Sequence, residues 1–118
     1  MGIIGVHTLV YTTEPDAVRA VFADVFGFES VDAGGGWLVF ALPPAEMGVH
    51  PTEGNTGAHQ VSLICDDLDG TVTDLRARGI DIPGDPVDEG FGVTITMKLP
   101  GGVDMMLYEP RHPLAISP

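Results

Sequence analysis

One order of local signals occurs twice in this chain, and that repetition leaves few folds open. Each half reads strand, helix, then three strands, and the halves meet at Pro-Thr-Glu-Gly-Asn-Thr-Gly, residues 51–57. That stretch is rich in turn formers and marks a linker. Thr13-Glu14-Pro15-Asp16 stands 53 positions before Asp66-Asp67-Leu68-Asp69, and Leu42-Pro43 and Leu99-Pro100 each lead into a turn and a further strand. Two short helices among so many strands exclude a helical bundle. The order also lacks the regular strand–helix alternation of a doubly wound sheet. We therefore expect an α+β fold of two βαβββ modules, about residues 5–51 and 58–110, within one domain spanning residues 1–118. A length of 118 residues suits one domain and buries a core without disulfides or structural metal.

The local signals are specific. Residues 5–12 alternate and are β-branched, which predicts a strand. Thr13 is a candidate N-cap, Pro15 lies in the first helical turn, and Glu14 and Asp16 sit near the positive end of the helix dipole. Val18, Val21, Phe22 and Val25 form one apolar stripe, and Gly27 stops the helix. Strands are predicted at 28–33, 37–42 and 45–50, separated by Gly34-Gly35-Gly36 and Pro43-Pro44. In the second half, a strand at 60–65 precedes a helix opened by Asp67 or Asp69 and closed by Gly79. An extended segment at 80–86 and strands at 92–99 and 103–109 follow, the last two joined by Pro100-Gly101-Gly102.

Charge and cysteine content restrict the partners. Five Lys and Arg face seventeen Asp and Glu, a formal charge of −12. Such a surface repels nucleic acid and anionic membranes, keeps the chain in solution, and draws in neutral or cationic small ligands. The one cysteine, Cys65, lies in an apolar run, so no disulfide framework exists and a reducing compartment fits. The first residues lack the basic and long apolar segments of a signal peptide or membrane span. A cytoplasmic location is expected.

The residues of both halves resemble one superfamily. His7-Thr8-Leu9-Val10-Tyr11, then Glu14-Pro15-Asp16-Ala17 and a helix ending Phe26-Gly27-Phe28, look like the opening of a vicinal oxygen chelate module (the glyoxalase/bleomycin-resistance/dioxygenase superfamily). Ala58-His59-Gln60, Cys65-Asp66-Asp67-Leu68-Asp69 and Leu99-Pro100-Gly101-Gly102 leading to Leu107-Tyr108-Glu109-Pro110 are similar in the second half. The resemblance spans residues 5–110. It implies that each module curls its mixed sheet into a cup with the helix outside, and that the chains form homodimers. It further implies a divalent metal (zinc, nickel, iron or manganese) held by the first and fourth strands of each module. The implied activities run from lyases, isomerases and dioxygenases to metal-free drug-binding proteins. Fold alone does not choose among them.

Carried onto this chain, the resemblance assigns His7 as the first ligand and Glu46 as the acidic ligand of the first module, with Glu46 also available as a catalytic base. Glu46, Gly48 and His50 would share one strand face. In the second module His59 is the ligand by residue type, but the offset of 53 places Gln60 opposite His7. Either a bulge restores His59 to the cup or Gln60 fills the slot, and glutamine is a poor zinc or iron ligand. The last slot falls at Asp104 or Met106, with Tyr108 on the same face and Glu109 on the other. A thioether would not hold a hard metal.

Other constellations are sparse. No Ser/His/Asp set assembles, Cys65 reads as a core residue, and the glycine runs are hairpin turns because no helix follows them. Tyr11, Trp37, Phe40 and Phe91 read as cup or core packing, and residues 111–113 as an exposed extension. Two functions follow from these features. One is a metal-dependent enzyme of the lyase, isomerase or dioxygenase type. The other is a metal-free protein that sequesters a drug or metabolite. Both take a small molecule as partner.

Overall fold

A computed structural model describes residue 2 and residues 4–116 of the chain. The second module follows the expected order, although its two-residue third element lies at 87–88, beyond the extended segment expected at 80–86. Strand β3 (Ser62–Ile64) leads into helix α2 (Leu68–Ala77), followed by β4 (Val87–Asp88), β5 (Gly92–Leu99) and β6 (Val103–Pro110). The strands make one mixed sheet in the order β3-β6-β5-β4, with β3 parallel to β6 and the other pairs antiparallel. Helix α2 opens on Asp67, whose carboxylate accepts the Gly70 N–H at 3.1 Å. Glu109, on the strand face opposite Tyr108, reaches across from β6 and accepts the Leu68 N–H at 2.9 Å. Two carboxylates thus satisfy amides that the first helical turn leaves open.

Alternation along β5 and β6 decides where the core lies. Ile95, Met97 and Leu99 face the same side as Val103, Met105 and Leu107, and all six are buried against Leu68, Val72 and Leu75 of α2. Met97 is 0% and Leu107 1% exposed. The opposite face carries Thr94, Thr96, Lys98, Asp104, Met106 and Tyr108 from the two long strands, joined by Ser62 and Ile64 of β3.

The first module is less complete. Helix α1 (Pro15–Ala20) continues as a π-helical turn over Val21–Val25, and its N-cap is Glu14 rather than Thr13. Val18 is buried, and Val21, Phe22, Val25 and Phe26 pack onto the core of the second module, so the apolar stripe does what its spacing implied. Starts of α1 and α2, at Pro15 and Leu68, keep the offset of 53. Strands β1 (Ser30–Asp32) and β2 (Leu38–Phe40) pair as a hairpin, its glycine turn held by the Asp32 carboxylate on the Gly34 and Gly36 amides. The strands expected at 5–12 and 45–50 do not form. The α+β class therefore holds while the sheets stay unclosed, one four-stranded and one two-stranded.

The two modules meet where the Thr12 hydroxyl donates to the Pro100 carbonyl at 3.1 Å, against the turn between β5 and β6. A methyl group at Gly101 would collide with the Thr12 hydroxyl and press on the Glu14 amide. The radius of gyration is 15.3 Å. A chain of this length packed as a typical domain would have about 13 Å. The excess belongs to the unpaired first-module segments, where Val6 is 85% and Val49 96% exposed.

Candidate functional site

Register in the second module settles which residues share the open face. Gln60 directs its amide Nε2 to the Ser62 hydroxyl at 3.4 Å and to the Met106 sulfur at 3.9 Å. Gln60, Ser62, Thr96 and Met106 therefore form one patch, continued by Tyr108 and the buried Thr94. His59 is exposed and stands outside this patch. Asp104 lies on the same face but is paired with Lys98 at 2.9 Å. Of the two residues nearest the last expected ligand slot, one is thus a thioether and the other already holds a cation.

Tyr108 is the centre of a second group. Its ring meets Phe91 edge-on at 5.9 Å and His112 at 5.8 Å, and its hydroxyl donates to the Phe91 carbonyl at 3.3 Å. Burial, and secondarily the negative charge of Glu46, push its phenol pKa up. Glu46 stands in a segment that forms no strand. Its carboxylate accepts the Ala115 N–H at 2.8 Å. Beyond the aromatic group, the Arg111 guanidinium holds the Asp88 carboxyl below the usual range, the hydrogen bond counting most. Burial raises the Cys65 thiol, which matches a core residue rather than a nucleophile.

A cavity of about 1390 Å³ runs along the free edge of β3, between it and the first module. His7, Glu46 and Gln60 all line it, as do Arg19, Trp37 and Phe40. Phe22 anchors an aromatic wall, with the Phe26, Phe28 and Phe40 rings 5.5–6.2 Å away. Trp37 carries the Arg19 guanidinium over its ring at 5.9 Å. Tyr11 is 84% exposed and lines no part of the cavity. His50 is exposed, with Nδ1 2.7 Å from the Pro51 carbonyl oxygen.

The residues present do not fit a divalent metal. Among the described residues, no group of three or more His, Cys, Asp or Glu side chains is placed to hold one. His7 and Glu46 share a cavity wall, but the second module offers an amide and a thioether where hard donors would be needed. Sequence reasoning placed Met106, Asp104 and Tyr108 on one face, left Gln60 open against His59, and missed Ser62, Thr94 and Thr96. Register would have found them, since the Pro-Gly-Gly turn sets Thr94 opposite Tyr108 and Thr96 opposite Met106. The segment reaching Glu46 from beyond β6 left no signal in the sequence.

Solved structures resemble this chain over most of its length. An antibiotic-binding protein from Streptomyces sp. CB03234, TnmS3, superposes with a TM-score of 0.66 at 22% identity, covering 93% of this chain and 98% of its own. A lactoylglutathione lyase from Agrobacterium tumefaciens gives 0.63 at 22% identity, with 86% and 90% covered. A glyoxalase/bleomycin resistance/dioxygenase superfamily member from Sphaerobacter thermophilus gives 0.62 at 22% identity, with 92% and 99% covered. No protein-family model and no curated protein matches the chain. The fold is the one these solved structures share, and it leaves the activity to the site. No helix among the described residues is long and apolar enough to cross a membrane.

Proposed function

We propose that this chain binds a small, planar, cationic organic molecule without a resident metal, in the manner of a sequestering protein. The observation that carries the reading is Gln60 lying against Met106, in slots where the family resemblance would put metal ligands. An amide, hydroxyls and a polarisable sulfur suit hydrogen bonding and contact with an aromatic ring better than they suit Lewis-acid chemistry. The charge of −12 attracts cations to such a face. That one similar structure is an antibiotic-binding protein agrees with this reading. The assembly we propose is a homodimer, in which a second copy covers the apolar segments around Val6, Tyr11 and Val49.

Fluorescence titration with ethidium, a planar cation, tests the proposal against 1-anilinonaphthalene-8-sulfonate, a planar anion. Saturable ethidium binding that weakens with added salt is expected. Equal or tighter binding of the anion would remove the electrostatic basis of the reading. A second reading, a metal-dependent lyase, isomerase or dioxygenase, draws on His7 and Glu46 lining one cavity. In that reading Glu46 serves as ligand or base, and His59 would have to reach the cup.

A further inference from the structure

Residues 111–116, which follow β6, turn back toward the first module. At the root of this segment, Arg111 donates its backbone N–H to the Phe91 carbonyl at 2.9 Å and its guanidinium to Asp88 at 2.7 Å. Midway, the His112 ring lies against Tyr108. At the far end Ala115 donates its N–H to Glu46 at 2.8 Å, across 69 positions of sequence. Ile116, the next residue, lines the same cavity as Glu46, His7 and Gln60.

The consequence is electrostatic as well as steric. A carboxylate that accepts a backbone N–H has lone-pair density already engaged, and its negative charge is partly compensated. Glu46 is one of the groups this cavity would offer a cation. We infer that residues 111–116 form a strap that closes the ligand cavity by occupying Glu46, and that a cationic ligand opens it by taking over that carboxylate. The inference rests on the cation-binding reading, taken where the patch and the cavity share Gln60 and Ser62. Ala115 and Glu46 are both exposed, so water replaces their bond at little net cost and the end of the strap can lift. Its root stays fixed by the Arg111 contacts, so release is a hinged movement of a few residues and leaves β6 in its sheet.

Ethidium affinity of the full chain, of Ala115→Pro and of a chain ending at Arg111 tests this. Proline removes the N–H donor and leaves Glu46 intact; the shortened chain removes the strap and keeps its root. Both variants should bind roughly three- to tenfold tighter, the factor by which a strap closed about 70–90% of the time weakens apparent affinity. Hydrogen exchange at the Ala115 amide of the full chain should accelerate when ethidium saturates it. Equal affinity in all three proteins, or weaker binding by both variants, overturns the strap while the cation site stands. Absence of saturable ethidium binding in all three overturns the site reading and the strap together.

Discussion

The two modules share an order of elements and an offset of 53 residues, yet the second pairs all its strands and the first pairs only two. The contrast turns on a few backbone positions. In the second module Leu99-Pro100 is followed by Gly101 and Gly102, both with φ near +75°, so β6 folds straight back on β5. In the first, Leu42-Pro43 is followed by Pro44 and Ala45. Pro44 has φ fixed near −65° and no N–H to donate, and Ala45 pays for a left-handed backbone. A tight hairpin is therefore unavailable there, and residues 45–50 run on unpaired. Repetition of sequence preserved the helices, which depend on local caps and stripes, better than the strands, which depend on turns and partners.

The largest test of this contrast is core truncation. Leu107→Ala in β6 should cost about 2–5 kcal/mol, the usual range for a fully buried leucine. Val39→Ala in β2, which is half-buried, should cost under about 1 kcal/mol. Urea denaturation of both variants checks the difference, and similar costs would mean the first module is as tightly packed as the second. A smaller effect isolates the turn. Nothing lies within 4 Å of a methyl group built at Gly102, so Gly102→Ala probes the backbone alone. It should destabilise by about 1–2 kcal/mol, the cost of a left-handed L-residue. A neutral substitution would show that the turn chemistry does not separate the modules.

Much of the second module is legible in the sequence. Its β5 is predicted and observed over the same eight residues, and Asp67 caps α2 as one of the two expected openers. Alternation and capping are local, so sequence carries them. Strands at 5–12 and 45–50 have the right residue pattern but pair with no edge, although that of β3 is free, and pattern alone does not bring the partners together. The site divides the same way. Met106 and Tyr108 follow from period-two alternation on a formed strand, while Gln60, which precedes β3, is the alternative to His59 that the offset of 53 offers. What the sequence hid are contacts between distant segments: Glu109 on the Leu68 amide and Ala115 on Glu46.

Whether the incomplete ligand set still gathers a metal is the most direct question. The measurement is metal content by mass spectrometry on untagged protein, purified without chelators and then incubated with zinc, nickel, iron or manganese, beside His7→Ala. An amide and a thioether in the second module predict far less than one metal per chain, with no difference between the two proteins. Near-stoichiometric metal in the natural chain, lost in His7→Ala, would contradict the binding-protein account and establish a working metal centre.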